Sequence, residues 1–209
     1  MSRASCFVAA LYVGLAAVGV ADVAAQQRQL AYRIPGMDQV QRIADVQYRS
    51  LTGTVDTVMY GRDLRYDVFL PAQGTQRSRA GVIFVHGGLV PDTVRVSPKD
   101  DLPAYREWGR LVAAAGMVGI TFSHRLTTAD NLDVAAQDVE ALVRTVRSRA
   151  AEWSLDPDRM CVAVYSAGGP LSSLFFQSHR VRCVIMLYPF LDVEHTAAVS
   201  RCTQCYESA

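Results

Sequence analysis

Met160-Cys161-Val162-Ala163-Val164-Tyr165-Ser166-Ala167-Gly168-Gly169 is an apolar run that gives way to a serine and three small residues. Its first six residues have the continuous hydrophobicity of a strand covered on both faces. The last four carry almost no bulk, which suits a sharp turn from strand into helix with the serine at its apex. A serine hydroxyl at its free pKa is a poor nucleophile. Such a turn thrusts it out of the backbone, where amide donors can meet a developing oxyanion. Ser166 is therefore the candidate nucleophile, and the amide of Ala167, at the start of the expected helix, is a candidate oxyanion donor.

Gly81-Val82-Ile83-Phe84-Val85 reads as a second central strand, ending in His86-Gly87-Gly88. Met117 to Phe122 and Arg182 to Leu187 are further strand candidates, and Leu64 to Leu70 alternates with period two, as near a sheet edge. Helical spacing recurs over Pro103 to Ala115, where Tyr105, Trp108, Leu111 and Val112 share a face and Gly116 ends the helix. It recurs after Asp130, read as the cap, along Leu132, Ala135, Ala136, Val139, Leu142, Val143 and Val146. A further helix is expected from Gly168 to about Ser178. Strands alternating with helices imply right-handed crossovers and a three-layer α/β/α sandwich around a mostly parallel sheet.

The chain has 209 residues, 50% of them hydrophobic and 20% charged, which suits one globular domain. A net charge of +1 gives no electrostatic reason to expect nucleic acid or an anionic membrane, and points to a neutral small-molecule partner. Arg3, the apolar run from Cys6 to Val20 and the small residues Val23-Ala24-Ala25 read as a cleavable signal peptide over 1–25. That implies a secreted or periplasmic protein with no stable membrane anchor after cleavage. A polar lead-in is expected over 26–45, and the folded domain over 46–209. Four cysteines remain, with connectivity not set by spacing. Cys161 and Cys183, inside apolar runs, read as small buried hydrophobes, and Cys202 and Cys205 as a structural disulfide or an inert tail rather than a redox or zinc motif.

Residues 64–192 resemble the α/β-hydrolase family, in its esterase and lipase branch. The resemblance rests on the His86-Gly87-Gly88 loop after a strand, on Ser123-His124-Arg125-Leu126 where such enzymes often carry Asp-Tyr-Arg-Leu, on Asp156-Pro157-Asp158-Arg159, and on Tyr165-Ser166-Ala167-Gly168-Gly169. It implies that Ser166 is the nucleophile and that the amides of Gly87 or Gly88 and of Ala167 form the oxyanion hole. It also implies that His86 braces its loop instead of transferring protons, and that no cofactor is needed. The expected activity is carboxylic ester hydrolysis through an acyl-enzyme, on a small-molecule ester.

Two departures from the family pattern stand out. Val164 replaces the first glycine of G-x-S-x-G, where the elbow is tightest. The family also places its acid and then its histidine well downstream of the serine. Here the only later histidines are His179 and His195, and the only later acids Asp192, Glu194 and Glu207. His179 falls at the far end of the expected helix, about 20 Å away. Asp192 and His195 follow the last strand on the correct edge, but a three-residue separation leaves little room for the acid behind the imidazole. The expectation is a partial domain lacking its last strands and helices, inactive or weakly active. The alternative is a non-catalytic domain of the same fold that binds a ligand or a protein.

Overall fold

A computed structural model describes residues 33–52, 63–72, 78–87, 98–126, 131–176 and 180–192. All of these belong to one compact unit beginning at Arg33. The leader over 1–25, Gly88, Asp130, His179, Glu194, His195, Glu207 and the Cys202–Cys205 pair lie outside the described residues.

Six strands form one sheet: β1 (Gln41–Ser50), β2 (Asp63–Leu70), β3 (Arg79–Val85), β4 (Val118–Phe122), β5 (Leu155–Tyr165) and β6 (Cys183–Leu187), in the order β1-β2-β4-β3-β5-β6. The first three are joined antiparallel and the last four parallel, β4 belonging to both groups. The helices are α1 (Pro98–Asp101), α2 (Pro103–Ala114), α3 (Leu132–Ser148) and α4 (Ser173–Phe176).

Strand alternation divides the interior between two faces of this sheet. Ile83 and Val85 of β3, with Met160, Val162 and Val164 of β5, pack towards the α3 residues Ala135, Val139, Leu142, Val143 and Val146. Val82, Phe84, Ala163 and Tyr165 point the other way and meet Tyr105, Trp108 and Val112 of α2. The three-layer arrangement expected from the alternation of elements is the one observed.

β1 was not announced by the sequence pattern. It crosses residue 45, where the lead-in was expected to end, and pairs antiparallel with β2 from Gln41↔Leu70 to Ser50↔Asp63. Register shifts after Ile43 and Gln47 break its period of two, and Asp45 sits at φ +59°. The shift is held by Asp67, a buried β2 residue whose carboxylate accepts from the Asp45 amide (2.9 Å) and from Lys99 (3.1 Å).

The helix expected from Gly168 is a 3-10 segment, Ser166–Ser172, with Pro170 inside it, followed by the single turn α4. The proline ring clashes with the carbonyl four residues back in an α-helix, which works against regular α winding here. α3 begins at Leu132 behind Asn131. The cysteine reading is also corrected: Cys161 and Cys183 are register partners on β5 and β6 and are joined in a disulfide, Cα to Cα 4.6 Å, with Cys183 exposed. Among the described residues, no helix is long and apolar enough to cross a membrane.

α3 also buries Asp138 completely within its apolar stripe. Its carboxylate accepts from Arg125 Nε (2.8 Å), Arg125 Nη2 (2.8 Å), the Arg125 amide (3.1 Å) and Arg49 Nη1 (2.7 Å). Removing one partner of such a buried pair strands the other charges and costs about 3–5 kcal/mol. Asp138→Ala is expected to lose that much unfolding free energy in urea. A loss under about 1 kcal/mol would mean that Arg49 and Arg125 find water or other partners instead.

Candidate active site

Ser166 follows the last residue of β5 at φ +48°, in the left-handed region. A residue with a Cβ holds that conformation at a cost of about 1–3 kcal/mol, and only where its surroundings impose it. Those surroundings are backbone. The loop after β3 lies so close to the turn that a Cβ on Gly87 would overlap the Tyr165 carbonyl and stand 2.8 Å from Ser166 Cβ, and one on Gly168 would stand 2.7 Å from the His86 carbonyl. On the far side, a Cβ on Gly169 would overlap the Phe190 carbonyl. The chain reaches that point by turning at Tyr188 (φ +41°), and the Phe190 amide donates to the Ser166 carbonyl (2.9 Å). Of the three small positions 167–169 read from the sequence, this crowding requires the two glycines, 168 and 169.

Val164 fits. Its side chain is fully buried, and its Cγ1 would be 3.6 Å from a Cβ at Gly168, an ordinary contact. The bulk that departs from the family pattern is absorbed in the layer facing α3.

His86 is buried and stacked on His124, ring centroids 3.6 Å apart and 5° from parallel. His86 Nε2 accepts from the His124 amide (3.3 Å), which puts the proton on Nδ1, and Nδ1–H donates to the Gly87 carbonyl (3.0 Å). His124 Nε2–H donates to the His86 carbonyl (3.1 Å), leaving His124 Nδ1 as a buried acceptor without a partner. Arg125, the next residue, is held on Asp138. The Ser123-His124-Arg125-Leu126 segment thus ties the loop of Gly87 to α3, with His86 as the brace.

The candidate residues fare differently. Ala167 is buried in the first turn of the 3-10 segment, where amides have no acceptor within the helix. The Gly87 amide is engaged: it donates to Tyr105 Oη (3.2 Å). Sequence pattern places Tyr105 only in an apolar helix face, and nothing in its spacing marks a polar role. Asp192 is exposed beyond β6, and its proposed partner His195 is outside the described residues. Among the described residues, no histidine or carboxylate hydrogen-bonds Ser166 Oγ, and no three His, Cys, Asp or Glu side chains could hold a metal ion.

A model of the BD-FAE family matches residues 66–197, more than half of the chain. Human arylacetamide deacetylase-like 2 is 24% identical over 167 residues, covering 75% of this chain and 39% of that protein. A crystal structure of inhibited esterase B from Lactobacillus rhamnosis superposes with a TM-score of 0.58 at 21% identity, over 90% of this chain and 62% of that one. A bacterial heroin esterase gives 0.57 at 19%, covering 84% and 51%. A thermophilic carboxylesterase cloned from a metagenomic library gives 0.54 at 26%, covering 78% and 51%. The chain spans less than two thirds of the length of each of these relatives. The structural likenesses establish the α/β-hydrolase fold.

The stacked imidazoles make a pH signature. Burial drives both pKa values down from 6.5, His86 well below it with help from the neighbouring His124, and His124 to about 3. The unfolded chain takes up these protons near pH 6.5 and the folded chain does not, so stability is complete above 6.5 and is lost as pH falls towards 3. Between pH 7 and 5 the urea midpoint is expected to fall, the unfolding free energy dropping with a limiting slope of about 1.4 kcal/mol per pH unit for each histidine. In His124→Asn the slope should be roughly halved. A midpoint flat from pH 7 to 5 would contradict neutral, buried imidazoles.

Proposed function

Because the chain belongs to the BD-FAE family, we propose that it is a carboxylic ester hydrolase acting through Ser166. The observation that carries this reading is Ser166 itself, held at φ +48° with the Gly87 loop against it. Ser166 Oγ attacks the ester carbonyl carbon, giving a tetrahedral intermediate whose oxyanion is met by backbone amides, Ala167 among them and Gly88 by family resemblance. Collapse expels the alcohol and leaves an acyl-enzyme, and water then releases the acid and restores the serine.

The proton on Ser166 Oγ needs a base for efficient attack. Since the sequence covers less than two thirds of its relatives, our reading is that the acid and the histidine of the complete enzyme belong to a portion absent from it, and that this chain by itself turns over slowly. The leader-like residues 1–25 and the Cys161–Cys183 disulfide support export to a secreted or periplasmic location, where such a bond persists.

Without a base, Ser166 keeps its position and its oxyanion donors but loses the factor of about 10²–10⁴ that general-base catalysis supplies. Release of p-nitrophenol from p-nitrophenyl acetate is therefore expected to be slow, above the buffer blank, and absent in Ser166→Ala. Equal rates for the two proteins would sink the nucleophile assignment, and binding of the ester without release would favour a non-catalytic binding domain. Turnover at the median enzyme rate of about 10 s⁻¹ would mean that the base lies within this chain.

A further inference from the structure

Tyr105 is on α2, buried to within 7% of complete. Its ring is held edge-on by His86 (6.0 Å between centroids), Trp108 (4.9 Å) and Tyr165 (5.9 Å). His86 opens the oxyanion loop, Tyr165 immediately precedes Ser166, and Trp108 stacks flat on Tyr165 at 4.2 Å. Packing on these sides leaves the phenol ring no freedom to swing away, so the position of its hydroxyl is set by the same residues that set the elbow.

That hydroxyl accepts from the Gly87 amide, and its own O–H has no acceptor among the described residues. A phenol offers one donor and accepts as well, so among the described residues this one is used on its accepting side only. A buried donor without a partner is destabilising and is the exception in native structures. Gly87 is also the residue that presses on Ser166, its Cβ position 2.8 Å from Ser166 Cβ. Gly87 thus joins the two: its amide is bonded to the phenol, and its α-carbon lies against Ser166.

One N–H cannot point straight at both a phenol oxygen and an oxyanion. With Gly87 N–H given to Tyr105, the donor available beside that amide is the phenol O–H, and a hydroxyl that accepts a hydrogen bond becomes a stronger donor. We propose that Tyr105 O–H donates to the carbonyl oxygen of the bound ester and to the oxyanion formed from it, with Gly87 N–H behind it as the polarising group. The proposal rests on Ser166 as nucleophile, and it assigns Tyr105 as a catalytic residue that gives a hydrogen bond and transfers no proton. Burial pushes the phenol pKa up to about 12, which keeps the donor protonated throughout the range in which esters are assayed.

Tyr105→Phe retains the ring and its packing and removes only the hydroxyl, and an unchanged near-UV circular dichroism spectrum verifies that. Ser166-dependent release from p-nitrophenyl acetate is expected to drop about 10²-fold in kcat, the effect of deleting one oxyanion donor. KM should stay close to that of the wild type, because the bond strengthens as the charge develops. A loss confined to KM, or a rate equal to or above that of the wild type because the freed Gly87 amide now serves the oxyanion, overturns the proposal. Tyr105→Met, which gives up the ring as well, must be at least as impaired in kcat as Tyr105→Phe; a faster Met variant also overturns it. Wild-type release no greater than that of Ser166→Ala defeats the ester-hydrolase reading itself, and the role of Tyr105 with it. The comparison with Ser166→Ala thus separates the two failures.

Discussion

The loop leaving β3 and the turn leaving β5 meet backbone to backbone, a contact that exists only because Gly87 and Gly168 carry no Cβ. Parallel pairing of β3 with β5, from Gly81↔Met160 to Val85↔Val164, delivers both segments to the same edge of the sheet. The first residue beyond the pairing on one side is His86 and, after Tyr165, on the other it is Ser166. Beyond that point no bulk can be added at Gly87, Gly168 or Gly169, and the serine takes the left-handed conformation where the chain turns away. The reactive geometry is thus a packing consequence of two adjacent strands running out of sheet together.

Everything around this contact acts to hold it. His86 bonds forward to the Gly87 carbonyl and back to the His124 amide, and the next residue, Arg125, is anchored on Asp138 in α3. The line from the buried Asp138 carboxylate to the oxyanion loop therefore runs through Arg125, His124 and His86, all buried, and the two imidazoles could take a charge only at a high desolvation cost. From the opposite layer, Tyr105 closes on the Gly87 amide and packs against His86. The loop is gripped from both faces of the sheet. β6 is more exposed: Ile185, Met186 and Leu187 face solvent, and its attachments include the pairing with β5, the Cys161–Cys183 bond, the Arg182 amide on the Met160 carbonyl and the Phe190 amide on Ser166.

Legibility in the sequence followed burial symmetry. β3, β4 and β5 are covered on both faces, so their apolar runs are continuous and their bounds were readable to within a residue or two at the C-terminal ends, the ends that matter for the site. β1 is an exposed edge whose alternation is interrupted twice by register shifts, so Gln41-Arg42-Ile43-Ala44-Asp45 looks like solvent-exposed coil. Asp138 is illegible for the opposite reason: a carboxylate in a helix is ordinarily on the wet face, and its burial depends on Arg125, 13 positions earlier, and on Arg49, 89 positions earlier. The disulfide depended on register, which brings Cys161 opposite Cys183 only once β5 and β6 are paired.

By itself, the sequence determined the layered α/β architecture, the family likeness and the identity of the serine at the turn, because those rest on local hydrophobic runs and on the absence of side-chain bulk at 167–169. Tertiary structure alone decided what surrounds the serine. The Gly87 amide, read from the motif as a free donor, is bound to a tyrosine 18 positions later in the chain, and the histidine of the same motif has its tautomer set by a neighbour 38 positions away. Hydrogen-bond partners of that kind are assigned by which elements the sheet places side by side, and sequence spacing carries no trace of them until the strands are in register.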